Sequence, residues 1–442
     1  MFTKKIVLTV TAASVVSLVT GCASVKEEKK PEASQPSKIE VPQGPITFKV
    51  ASNRTKESFA RVNKIIRAKY PNVTLEQMAS YKNNEKALKD MISAGDLPDI
   101  IDEATTNTPI LLDLEFPIDL EPIIKKLNLN ISSLDQQTID SIRSYNGKLF
   151  MLPTNLTPPL VLFYNKDIFD RFGVPYPAVG NTWDDNIQLA KKLSRTDAGV
   201  NYKGMSTGTI INRMATQLSL PYVDTKSGRS AVLSNDGWKK MFEKWKEIYD
   251  IPGNYPSGAK FSNGVNDFLK NKNLAMFPHF LLLAQDKLFE DAVKSGLNWG
   301  ATTFPTFKEA PGVGPSGISG GFMITKMNKY PEFALQVMMT LLSDEGQIEM
   351  AKDGMVPSVN KPELRSHIYE DSAIVNQIPK DVLAAIYKMK EAKPYSRSRY
   401  DTASLNTVTK YINEYIGGKM DLNSALRKAD EEINKLIEAD KK

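Results

Sequence analysis

Cysteine and histidine are nearly missing from this chain. Its 442 residues contain one cysteine, Cys22, and two histidines, His279 and His367. A single thiol excludes a disulfide framework and any cysteine-rich metal site. Two isolated imidazoles leave little for zinc or for histidine-based acid–base chemistry. A strong charge of one sign is missing as well. The 57 basic and 51 acidic side chains leave a formal +6, too dilute at this length to argue for nucleic acid. Mean hydropathy is negative and only one long uncharged apolar run occurs, so a polytopic membrane protein is excluded. What remains is a globular mixture with 41% hydrophobic residues, enough apolar side chain to fold rather than stay disordered. The length suits two or three domains at roughly 100–200 residues each.

The one apolar run, residues 6–20, follows Lys4 and Lys5. It is short of the ~20 residues that span a bilayer and suits the core of a secretory signal. It ends in Val19-Thr20-Gly21-Cys22, which resembles a bacterial lipobox. Small residues admit the peptidase to the backbone, and the thiol takes a diacylglyceryl group through a thioether. Residues 1–21 are therefore expected to be a cleaved signal, with Cys22 the lipid-bearing new terminus. Residues 22–45 are rich in charge, proline and serine. They bury too little to offset ordering entropy and are expected to be a disordered tether. The expected location is the outer face of a cell membrane, lipid-anchored.

Beyond the tether, Ile46-Thr-Phe-Lys-Val-Ala-Ser alternates and predicts a strand. Phe59, Val62, Ile65 and Ile66 line one helical face that Pro71 ends. Val73–Met78 predicts a second strand, residues 84–94 a helix, and residues 97–101 a short buried strand. This β-α-β-α-β order predicts a largely parallel sheet. Later strands are expected at 160–164, 274–277, 299–304 and 321–325. Helices are expected near 183–194, 236–249, 263–271 and 280–294, then from Pro331, after a Ser343 cap, and from about Asp421. Gly312-Val-Gly-Pro-Ser-Gly fits G-x-G-x-x-G by letter, but Pro315 interrupts it and a strand follows, so it reads as a loop.

Several blocks in order resemble the extracellular solute-binding proteins of ABC importers, of the carbohydrate type that includes maltose-binding protein. They are Met91-Ile-Ser-Ala-Gly-Asp-Leu-Pro-Asp-Ile, Tyr145-Asn-Gly-Lys-Leu-Phe-Met-Leu-Pro with Leu162-Phe-Tyr-Asn-Lys-Asp-Ile-Phe, Thr182-Trp-Asp-Asp, Phe268-Leu-Lys-Asn-Lys-Asn-Leu-Ala-Met-Phe, and Gly320-Gly-Phe-Met-Ile with Leu342-Ser-Asp-Glu-Gly-Gln. The resemblance runs from about residue 46 to 437. It implies an α/β fold of two discontinuous lobes joined by hinge strands, with a ligand cleft between them. The N-terminal lobe would hold 46–158 and 307–358, the C-terminal lobe 159–306 and 359–442, with crossings near 157–160, 305–308 and 357–361. It further implies no catalysis, no cofactor and no metal. The implied partners are a saccharide ligand and ABC permease subunits in the membrane; a monomer is expected.

Sugar rings offer flat C–H faces for aromatic stacking and a hydroxyl rim for paired hydrogen bonds. Such clefts lie at the carboxyl ends of strands. Residues just after predicted strands are therefore candidates: Asn53 and Arg54; Asp102 and Glu103; Tyr164 and Asn165; Phe277, His279 and Phe280. Gly320, Gly321 and Phe322 are added because they fit a loop whose backbone can approach a ligand closely. The segment opened by Pro394 resembles the family's C-lobe ligand loop, which adds Tyr395, Arg397, Arg399 and Tyr400. Its two arginines would suit a carboxylated sugar. Trp183, Trp238 and Trp245 lie on helical faces and read as packing. The alternatives are a peptide-binding or ligand-sensing lipoprotein and, less favoured by the block order, a surface polysaccharide hydrolase or lyase.

Overall fold

Alternate burial of Ile46, Phe48 and Val50 makes Ile46–Ser52 a strand, β1. The computed structural model describes residues 41–81, 85–156, 158–208 and 212–440. Residues 1–40, with the expected signal sequence, Cys22 and most of the expected tether, lie outside the described residues. The remaining strands are β2 (Val73–Met78), β3 (Ile100–Ala104), β4 (Leu152–Leu156), β5 (Leu160–Asn165), β6 (Arg195–Asp197), β7 (Val200–Met205), β8 (Val223–Asp224), β9 (Arg229–Ser230), β10 (Leu274–Phe280), β11 (Trp299–Thr303), β12 (Val313–Gly314), β13 (Ser319–Ile324), β14 (Val356–Pro357) and β15 (Lys390–Glu391).

Two sheets organise the molecule, one per lobe. The first runs β14-β4-β13-β3-β1-β2 and the second β11-β5-β10-β7-β6. The opening β-α-β-α-β stretch gives the parallel trio β2-β1-β3. Returning β13 lies antiparallel to both β3 and β4, so the sheet is mixed. In the second sheet β5 is antiparallel to β10 and β11, while β7 is parallel to β10. The chain passes from the first sheet to the second between Leu156 and Leu160, and back between Thr303 and Ser319. Midway through that return, β12 pairs with β15 (Val313 opposite Lys390).

Each lobe has its own core. Phe48, Val62, Ile66, Ile101, Phe322 and Leu335 are among the fully buried side chains of the first. On one face of the second sheet sit Trp183, Trp238 and Trp245, all fully buried, as packing residues should be. On the other face Phe163, Phe268, Phe277, Phe289 and Trp299 pack with Tyr369 and Ile386 from the segment after β14.

Local signals set the helix starts. Thr182 and Asp185 form a capping box on Trp183–Leu193. Ser343 caps Asp344–Lys352, and Pro331 opens Pro331–Met338. The helix expected over 280–294 is divided. Leu281–Gln285 is a 3-10 turn, and Asp286 in extended backbone caps a separate helix, Lys287–Lys294, by accepting from the Leu288 amide. The last helix, Leu422–Asp440, buries Leu426, Ile433 and Ile437, with Leu422 and Leu436 only half-buried.

Candidate functional site

Strand direction decides which residues face the cleft. The carboxyl ends of β1, β3 and β4 lie at one edge of the first sheet, and those of β7, β10 and β11 at one edge of the second. The short crossing from Leu156 to Leu160 joins the two edges.

At the first edge Arg54 leaves β1 and pairs with Asp102 on β3. Its Nε lies 2.6 Å from Asp102 Oδ2, and both side chains are almost wholly buried. Ser52 donates to the same Asp102 oxygen at 2.8 Å. Arg54 Nη2 donates to Asn155 Oδ1 on β4 at 3.3 Å, and its guanidinium lies over the Phe322 ring. Asn53 donates to Glu103 at 3.3 Å, and Asn107 donates to the same carboxylate at 2.9 Å. Burial raises the Glu103 carboxyl above the ordinary range. Four candidates, Asn53, Arg54, Asp102 and Glu103, therefore form two hydrogen-bonded groups, Arg54 with Asp102 and Asn53 with Glu103, side by side at this edge. Phe322 is fully buried beneath the first.

Gly321 has a different role from the expected ligand-facing loop. It is a mid-strand residue at the point where the β13–β4 register shifts, and a Cβ there would sit 2.1 Å from the Leu152 carbonyl oxygen. Close approach of two strands, rather than of a ligand, requires glycine here.

At the second edge Phe280 ends β10, and the buried guanidinium of Arg213 lies over its ring at 4.6 Å. A cavity of about 450 Å³ opens beside them, lined also by Leu156, Leu160, Phe304 and Gly314–Ile318. The interrupted glycine segment thus forms a wall rather than a nucleotide cradle.

The segment after β15 crosses to the first lobe. Arg397 lies between the rings of Tyr395 (5.0 Å) and Tyr145 (5.9 Å). Tyr395 donates to Asp401 at 3.0 Å, and Tyr145 donates to the Thr105 carbonyl at 2.7 Å. Burial pushes the Tyr145 hydroxyl up to about 12. Arg399 points elsewhere. It is half-exposed between Asp113 (3.3 Å) and Asp440 (3.5 Å), and Tyr400 donates to Asp440.

The structure does not bring Tyr164 and Asn165 to this region. Leu160 pairs with Phe280, and Tyr164 with Met276, so antiparallel β5 carries its carboxyl end away from the crossing. Tyr164 packs on Phe169 and Tyr176, and Asn165 caps the helix Lys166–Phe172. Phe277 alternates into the core under the sheet. His279 is half-buried between Phe277 and Phe280. Burial pushes its imidazole down to about 4, and nearby Arg213 acts in the same direction. Neutral in the fold, it charges more readily when unfolded. Stability present above pH ~6.5 should then be lost as pH falls toward 4, by ~1–3 kcal/mol from this group. Urea titrations of wild type and His279→Gln at pH 7 and 4.5 check this; the pH-dependent loss should shrink in the variant.

Asn155, Tyr145 and Arg213, which lie at these edges, are not among the site residues the sequence singles out. Among the described residues no group of three or more His, Cys, Asp or Glu side chains could hold a metal ion. No described helix is long and apolar enough to cross a membrane.

Solved structures share this fold. An ABC substrate-binding protein from Listeria monocytogenes in complex with cycloalternan superposes with a TM-score of 0.71 at 19% identity, covering 90% of this chain and 99% of the other. A sugar transporter protein from Rhizobium etli in an open conformation gives 0.68 at 18% identity, with 88% and 99% covered. The maltose/maltodextrin-binding domain from Bdellovibrio bacteriovorus bound to maltotriose gives 0.63 at 15% identity, with 89% and 100% covered. Residues 54–348 match the family described as bacterial extracellular solute-binding protein. That span is well over half of the chain and includes both cleft edges, and so the chain belongs to the bacterial extracellular solute-binding protein family.

Proposed function

We propose that this chain is the capture subunit of an ABC importer, that it binds a saccharide between its lobes, and that it catalyses no reaction. The observation that carries the ligand class is the juxtaposition of polar clusters with aromatic faces at the two sheet edges. Asn53, Glu103 and Asn155 offer paired donors and acceptors at one edge. Phe280, Tyr145 and Tyr395 offer rings at the other edge and across it. Sugars need both kinds of contact. Saccharide ligands in two of the similar structures agree with this reading.

The mechanism is differential affinity. A ligand that touches both lobes stabilises the closed arrangement by the contacts it makes only there. Among the contacts that already bridge the lobes are Arg397 over Tyr145, Gln137 to the Ala392 carbonyl, and Arg399 to Asp113. The closed shape is what the permease would read. Anchoring through a lipidated Cys22 would keep the subunit beside its permease, and the mass of the membrane-bound amino-terminal peptide tests that step.

A thermal-shift screen over mono- and oligosaccharides tests the ligand class, since ligand at 100 times its Kd adds ~2.7 kcal/mol. Small-angle scattering on the binding sugar should then show a smaller radius of gyration. Binding confined to peptides would sink the saccharide reading. An unchanged radius at saturation would sink lobe closure.

A further inference from the structure

We infer that the captured saccharide carries a carboxylate, as in a hexuronate oligosaccharide, and that Arg213 is the residue that binds it. The inference rests on the saccharide reading above and names the class within it.

Four arginines approach the cleft, and they differ in their partners. Arg365 donates to the Tyr387 carbonyl at 3.0 Å. Arg54 is neutralised by Asp102. Arg397 has Asp401 close by and hydrogen-bonds Tyr395. Arg213 is 5% exposed and pairs with no carboxylate among the described residues. Its Nε has no hydrogen-bond partner among the described residues. The charges that act on it are the like charge of Arg397 and the Tyr222 hydroxyl; burial and Arg397 together push it down to about 10. A buried guanidinium in that position is costly unless a ligand compensates it.

The geometry selects the compensating group. Phe280 covers one face of the guanidinium at 4.6 Å. Its in-plane N–H groups are therefore what it can offer, and a fork of parallel donors matches a planar carboxylate. A neutral hydroxyl would return a hydrogen bond but no charge. The adjoining cavity, about 450 Å³, is within the range of small-ligand sites. Its charged lining is Arg213, Arg365, Lys388 and Lys390 against Asp135 and Glu391, a positive balance. Ser316 on its glycine-rich wall adds a buried hydroxyl with no partner among the described residues. The carboxylate-binding role that the sequence suggested for Arg397 and Arg399 thus moves to Arg213, because Asp113 and Asp440 occupy Arg399.

Isothermal titration of the purified chain would compare trigalacturonate, its methyl ester and maltotriose. Trigalacturonate is expected to bind, with the ester and maltotriose at least tenfold weaker. Arg213→Gln should weaken trigalacturonate at least tenfold, and Arg213→Lys should fall between. The ester comparison uses the unaltered protein and does not depend on how the variants fold. Equal affinity for acid and ester, or no binding of trigalacturonate, overturns the inference. If neutral saccharides still bind in that case, the saccharide reading stands. If only peptides bind, both fall. Preference for a sulfated neutral sugar over trigalacturonate overturns the carboxylate assignment alone.

Discussion

Asp102→Ala is expected to destabilise the protein by ~3–5 kcal/mol, the cost of leaving one member of a buried ion pair without its partner. Arg54 would keep its place over Phe322 with one remaining acceptor, Asn155, and Ser52 would lose its acceptor too. Three hydrogen bonds from two side chains, Ser52 and Arg54, converge on that buried carboxylate, which is why the expected loss exceeds that of an exposed pair. Arg399→Ala, which breaks contacts of a half-exposed side chain, should cost no more than ~1 kcal/mol. Urea unfolding at pH 7 measures both. Adding Arg54→Met to Asp102→Ala should recover much of the loss, because an apolar side chain of similar length leaves no buried charge behind. A loss under ~1 kcal/mol for Asp102→Ala, or no recovery in the double variant, would refute the account. The same variant disorders the cluster that holds Asn53 and Glu103 in place only indirectly, through β3. A measured loss of affinity should therefore accompany the loss of stability and not replace it.

What the sequence made legible follows from how local the signals are. β1, β2 and the helix between them announce themselves by alternation, by a one-sided apolar face and by Pro71. That Asn53, Arg54, Asp102 and Glu103 lie together at one sheet edge was legible for the same reason: β1 and β3 are parallel, so the residues at their carboxyl ends come to the same edge. The rule fails at β5. Tyr164 and Asn165 also follow a strand, but that strand is antiparallel and starts at the cleft edge, which only the pairing of Leu160 with Phe280 reveals. Strand β4, Leu-Pro-Thr-Asn-Leu, carries a proline and no alternation, so it and Asn155 were invisible. Arg213 sits on a five-residue helix with every residue buried. Nothing in its neighbours' spacing separates a buried arginine from a solvated one, since the difference lies in Phe280, 67 positions later by the numbering. Gly321 illustrates the opposite error: a glycine that could admit a ligand is needed to admit a neighbouring strand.

Trp183→Ala should cost at least ~3–5 kcal/mol from the cavity alone, and its effect should reach the ligand site. The indole is fully buried against Phe304 in an edge-on contact with ring centroids 5.5 Å apart. Its Nε1 donates to Gln217 Oε1 at 3.0 Å, and Gln217 in turn donates to the carbonyls of Pro305 and Val313 at 2.9 and 2.8 Å. The Trp183 amide itself bonds the Thr306 carbonyl. One side chain therefore steadies the second crossing at both ends, and Phe304 also lines the cavity beside Arg213. Trp183→Phe separates the two roles. It keeps most of the volume and removes only the N–H, leaving Gln217 Oε1 without its donor at a cost of ~1–3 kcal/mol. The expected order of unfolding midpoints is wild type, then Phe, then Ala. Saccharide affinity should fall in the same order, because a loosened crossing must be re-ordered each time the lobes close, and that ordering subtracts from binding. If Trp183→Ala lowers stability as expected but binds with unchanged affinity, the tryptophan belongs to the core alone, and the crossing is held by Gln217 without it.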